Sequence, residues 1–312
     1  MAEGLSMRTR RILGLSAAVL AAGLSAGATT PHAAPLGAAP GCPVFPQTNV
    51  WNADISALPP AANSNALLTT IGLSTGIHPD FGSYAGYGIP FNVVTSARPK
   101  VKVRFDYAGE SDKGPYPIPA KPKIEGGSDR HMLIVDRSTC TLYELFAARK
   151  TATGWRAGSG AIWSMSSNAL RPDTWTSADA AGLPILPGLV RYKEVSDGLI
   201  DHALRFTTPV TRKAHIYPAR HDAGAGNGAA LPPMGIRVRL RADFDLSRLG
   251  SQARVIAIAM QTYGMILADN GSAWYVSGAS EPRFNDDDLR TLNRIKGSDF
   301  EVVDTSGLVN GP

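Results

Sequence analysis

Glu144 is the residue of this chain with the clearest chemical potential. Leu142 and Phe146 flank it on one side of an extended segment, and Tyr143 and Leu145 occupy the other. A strand that is apolar on both faces is central and covered. A carboxyl group placed there loses its hydration, and its pKa rises. That keeps a general acid protonated near neutral pH. The competing expectation is a buried pair with one of the many arginines. A general acid also needs a second carboxylate. Asp129, Asp201 and Asp269 are the candidates, and their separation from Glu144 would tell inverting from retaining glycoside hydrolysis.

The chain has six histidines, so each can be weighed. His131 follows Asp129-Arg130 where a Gly-rich loop enters a strand, a place that can hold a base on a rigid edge. His221 closes Pro218-Ala219-Arg220-His221 and opens a Gly/Ala-rich loop able to cover a ligand. The expected catalytic set is therefore Glu144, Asp129, His131 and His221. Polar strand ends account for the two histidines without chemistry. Asp201 and Arg205 alternate with His202, Leu204 and Phe206 and share one face of a strand. With Asp269 they make the expected polar part of a substrate site. Trp163, Tyr192 and Trp274 are its aromatic part, as rings that stack on sugar faces; filling the core is the plainer role for them.

Other motifs carry less. Gly72-Leu73-Ser74-Thr75-Gly76 matches G-x-S-x-G, but that elbow needs a strand before it and a helix after it. Here a helix is expected before it and Pro79 follows. No H-E-x-x-H, zinc-spaced cysteine pair or EF-hand loop occurs, so neither metal nor cofactor is expected. Arg237, Arg239 and Arg241 fall on one face of a strand. They suit a solvated face with acidic partners across it, or a groove for an anionic polymer.

These residues must be positioned by a mainly β fold. Strict alternation, the half-buried strand signature, runs over 100–107 and 236–244. Further strands are expected at 130–136, 140–148, 158–165, 200–208, 214–218, 263–269, 274–277 and 300–304. Asn270-Gly271 predicts a tight hairpin. Helices are expected at 61–71, 189–195, 247–263 and from Asn285, whose side chain can cap a helix opening with three aspartates. The whole suggests an antiparallel β-sandwich or jelly-roll-like core with several inserted short helices.

The first residues bound the compartment. Met7-Arg8-Thr9-Arg10-Arg11 precedes a diluted apolar run ending in Ala26-Gly27-Ala28. Basic, apolar, then small residues is the layout of a secretory signal peptide. The run is shorter than the roughly 20 apolar residues of a spanning helix. Residues 1–28 are thus expected to be a signal, 29–44 a Pro/Ala-rich linker, and 45–312 a single β-rich domain, secreted to the exterior or envelope without stable membrane insertion. Met7 is an alternative start. An exported chain with two cysteines, Cys42 and Cys140, suits one disulfide. The formal charge is +5, and removing three arginines and Glu3 with the signal leaves about +3. That is mild for a nucleic-acid binder, so no nucleic-acid partner is expected.

The blocks Ser128-Asp129-Arg130-His131-Met132-Leu133-Ile134-Val135-Asp136, Ala178-Asp179-Ala180-Ala181-Gly182-Leu183-Pro184-Ile185-Leu186-Pro187-Gly188 and Asp201-His202-Ala203-Leu204-Arg205-Phe206 resemble a group of exported bacterial proteins. The resemblance implies export and carries no activity, catalytic residue or cofactor. The expected function is a carbohydrate-active exported protein, foremost a glycan hydrolase using carboxylate acid/base chemistry, with polysaccharide or cell-envelope glycan as partner. A non-catalytic glycan-binding module and a hydrolase of another bond with a His base are the alternatives.

Overall fold

The alternating segments fold into short strands in a computed structural model that describes Met1, residues 35–84 and residues 86–308. The expected signal peptide, Met1 aside, and the start of the linker lie outside the described residues. In chain order the strands are β1 (His78–Asp80), β2 (Phe91–Val94), β3 (Val103–Phe105), β4 (Met132–Asp136) and β5 (Thr141–Leu145). Then come β6 (Arg149–Thr151), β7 (Gly154–Ala157), β8 (Gly160–Ser164) and β9 (Leu204–Thr208). The last are β10 (Arg237–Leu240), β11 (Met265–Asn270), β12 (Tyr275–Ser277) and β13 (Phe300–Val302). Four helices join them: α1 (Ser64–Ile71), α2 (Tyr192–Asp197), α3 (Ser251–Thr262) and α4 (Asp286–Leu289).

The strands form three open sheets, ordered β1-β12-β9-β11-β10-β13, β2-β4-β5-β8 and β3-β7-β6. The fold is β-rich as expected. The sheets are mixed rather than antiparallel, because β1–β12, β9–β11, β2–β4 and β3–β7 pair in parallel. Both faces of the four-stranded sheet are covered. Met132, Ile134, Tyr143 and Leu145 pack toward the three-stranded sheet. Leu133, Val135, Leu142 and Trp163 pack on the other side against Leu36–Phe45 and Ile185–Leu189. β5 lies between β4 and β8, the central, doubly covered position its sequence predicts.

The six-stranded sheet carries the largest core, with α1 and α3 against it. α3 ends where Gly264 turns into the left-handed region at φ 67°; a Cβ there would come within 2.4 Å of the Val238 carbonyl. Asn285 caps α4 as expected, accepting from the amides of Asp287 and Asp288. Cys42 and Cys140 are joined by a disulfide, which ties the N-terminal segment to the start of β5.

Three local expectations fail. No strand forms at 214–218, where His215 makes only an isolated bridge to Met234. Asn270-Gly271 does not close a hairpin, because β9 lies between β11 and β12. Gly271 instead donates its amide to Thr208, and the positive φ sits at Trp274. The arginine stripe is a solvated face only in part, with Arg241 exposed. Arg237 is buried and donates to the carbonyls of Val50, Ala53 and Tyr263. Burial pulls its pKa down to about 9. Arg239 does pair with Glu301 across the β10–β13 register.

Candidate functional site

A bulge in β11 decides where Asp269 points. Leu267 pairs with Phe206 of β9, but the next pairing is Asp269 with Thr207, so Ala268 is the extra residue. Side chains alternate along a strand with period two, and one inserted residue moves the next side chain to the other face. Asp269 therefore joins the face of Arg205 and Thr207. On that face the Arg205 guanidinium is held by Ser277 Oγ at 2.6 Å from Nη1 and by Asp179 Oδ2 at 3.2 Å from Nε. Its Nη2 lies 3.1 Å from Asp179 Oδ1 and 3.7 Å from Asp269 Oδ2. One buried cation thus serves two carboxylates.

The two carboxylates differ in surroundings. Asp179 is fully buried, and burial raises its pKa against the pull of Arg205. Asp269 keeps 24% of its side chain exposed. Burial first and the charge of Asp179 second push its pKa up to about 7, while Arg205, His131 and the Asn270 amide pull the other way. Two carboxylates near one another cannot both ionise freely.

Asp269 and Asp179 line a cavity of about 280 Å³ together with His221, Glu110, Ser159, Tyr107 and Phe146. That volume is at the small end for ligand pockets. The His221 ring is oriented by Nδ1–H donating to the Ala180 carbonyl at 2.8 Å. The other nitrogen, Nε2, stands 3.8 Å from Glu110 Oε2. Glu110 is fixed in turn by the Thr176 amide. Arg171 braces this wall, donating to Asp112 Oδ2, to the Glu110 carbonyl and to the Thr176 carbonyl. Its guanidinium also lies over the rings of Trp163 and Trp175.

His131 stands behind the cavity rather than in it. Its Nδ1 meets Glu125 Oε2 at 2.5 Å and its Nε2 meets the Ala178 carbonyl at 3.0 Å. Both partners are acceptors, so the ring is an imidazolium with both nitrogens donating. Burial depresses its pKa, but the hydrogen bond and charge of Glu125 outweigh that, and the net shift is upward. Glu125 is raised by burial and lowered further by His131, for a net shift downward.

Of the residues expected to do chemistry, the structure brings His221 and Asp269 into one cavity, with Arg205 behind Asp269. Glu144 is fully buried and takes the amides of Ile185 and Leu186 at 2.9–3.0 Å. Burial raises it to about 7 despite those two amides. Asp129 is exposed and bonded to Ser128. Asp201 is buried, and neither carboxylate oxygen has a hydrogen-bond partner among the described residues. Trp274 has no exposed surface and is stacked between Phe206 and Phe300. Trp163 is 5% exposed. Neither ring is open to a sugar. Tyr192 lines a different cavity of about 520 Å³, with Arg283 over its ring at 4.4 Å. Glu110, Asp179, Glu125 and Tyr107 escape sequence reasoning. The lone charge of Asp179 inside an apolar Ala/Leu/Pro/Ile run was the one usable signal.

Among the described residues no group of three or more His, Cys, Asp or Glu is placed to hold a metal ion. No helix among them is long and apolar enough to cross a membrane. Comparison with protein-family models, curated proteins and solved structures gave no match.

Proposed function

We propose that the protein is an exported hydrolase of extracellular or cell-envelope glycan, with Asp269 as general acid and His221 with Glu110 as general base. One observation carries this reading: a carboxyl group raised to about 7 lines the same small cavity as an imidazole oriented through Nδ1, with Glu110 3.8 Å from its Nε2. Protonated Asp269 gives its proton to the leaving oxygen as that bond breaks. His221 Nε2 takes a proton from the attacking water, and the Glu110 carboxylate stabilises the imidazolium. A proton returned from His221 to Asp269 through solvent resets the site. Tyr107, 57% exposed at the cavity, takes over the sugar-stacking role expected of the tryptophans. In the same reading the four- and three-stranded sheets, which share one core, face each other as layers of a small sandwich.

The test is release of reducing ends from a panel of neutral and acidic polysaccharides by the exported protein. Turnover is expected, and Asp269→Asn or His221→Asn should each reduce it by about 10²–10⁴-fold. Turnover unchanged in both variants would show that the chemistry is elsewhere. A protein that binds glycan and never cleaves it would be a binding module instead.

A further inference from the structure

We propose that the outer face of the three-stranded sheet binds a linear polyuronate alongside the cavity. Register places Arg104 of β3 opposite Arg156 of β7, and Arg156 opposite Arg149 of β6. Three arginines therefore stand side by side across three strands. The alternate residues Val103, Phe105 and Ala157 pack into the core, so the arginine row faces outward. Lys102, two residues before Arg104, is exposed as well. Like charges directly opposite one another destabilise a sheet. Asp106 relieves part of this, accepting from Arg156 Nη2 at 2.5 Å and Arg149 Nη2 at 3.1 Å. It leaves Arg104 and the remaining donors of Arg156 without a partner in the described residues. Four cations then face one carboxylate.

The occupant is chosen by charge and spacing. An arginine fork matches carboxylates in a planar, two-bonded way. Neighbouring strands lie about 4.8 Å apart, close to the advance of one pyranose ring along an extended chain. A polymer with one carboxylate per sugar keeps pace with the row. The row also runs along the sheet edge that borders the cavity. Asp106 leads into Tyr107, whose amide bonds to Gly158, and Phe146 donates to Ser159. Tyr107, Phe146 and Ser159 all line the cavity. As a substrate assignment this rests on the hydrolase reading; as a binding surface it stands without it.

Binding of the full chain to polygalacturonate, neutral dextran and single-stranded DNA is measured at two salt concentrations. Polygalacturonate should bind, more tightly at low salt, and dextran should not. The double variant Arg104→Gln/Arg156→Gln should weaken binding by about tenfold or more while still showing a cooperative thermal transition. If that variant fails to fold, Lys102→Gln/Arg104→Gln makes the same reading. Undiminished binding in the folded variant overturns the proposal, as does DNA binding as tight as polygalacturonate. Tight binding without cleavage overturns the hydrolase reading and leaves this surface standing. Cleavage of polyuronate at full rate by the double variant overturns the surface alone.

Discussion

Nδ1 of His131 lies 2.5 Å from Oε2 of Glu125, and the pair is bound a second time through the His131 backbone amide. Glu125 comes from the long loop before β4, and the far side of the ring holds Ala178 on the cavity wall. The pair therefore fastens a loop to the wall on which Asp179 sits.

Its pH dependence follows from the signs. His131 is raised in the folded state, so its contribution is full below its unfolded pKa and is lost as pH rises through the folded value. Glu125 is lowered, so its contribution is present above its unfolded pKa and is lost as pH falls through the folded value. Glu125→Gln should cost about 3 kcal/mol where both are charged, between roughly pH 4.5 and 6.5. Denaturant melts of parent and variant from pH 3 to 9 would show the gap closing at both ends. A gap independent of pH would mean that the ring is neutral.

Asp269 behaves oppositely to an ordinary paired carboxylate. Its folded pKa of about 7 lies above the unfolded value, so its contribution to stability is full in acid and lost as pH rises through 7. Asp269→Asn should flatten that loss, leaving the variant as stable as the parent or more so at pH 8. Stability falling at pH 8 on this substitution would count against a protonated Asp269.

Glu144 should matter to folding and not to turnover. Glu144→Gln leaves one oxygen for the Ile185 and Leu186 amides and brings an NH₂ against them, a loss of about 1–3 kcal/mol. The steady-state rate per folded molecule should stay within about twofold. A hundredfold fall in rate at constant stability would restore it as the acid.

Removing the disulfide by Cys42→Ser/Cys140→Ser should cost about 2–5 kcal/mol. The thermal midpoint under oxidising conditions reads this directly, and reductant should bring the parent down to the variant. A parent indifferent to reductant would show that the bridge adds little.

Much of the framework was legible because strands covered on two faces leave an unambiguous apolar run, as in β4 and β5. The burial of Glu144 was legible for the same reason; its partners were not, since they are backbone amides forty residues away. Arg237 misled because alternation reports a face and not what covers it, and here Val50 and Ala53 cover it. The Asn270-Gly271 turn misled because a turn signal fixes the local bend and not which strand is received beside it. Glu110 was invisible: a half-buried glutamate in a single 3-10 turn gains meaning only from the histidine that another segment brings near it.

The bulge at Ala268 bears on how such a site is gained or lost. Were Ala268 paired with Thr207 in unbroken register with β9, Asp269 would fall opposite Thr208 and turn away from Arg205 and the cavity. No charged or polar residue would have changed. The place of Asp269 is set by strand register as much as by the residue itself, so two chains of identical composition and different register at this point would differ in whether they have the site.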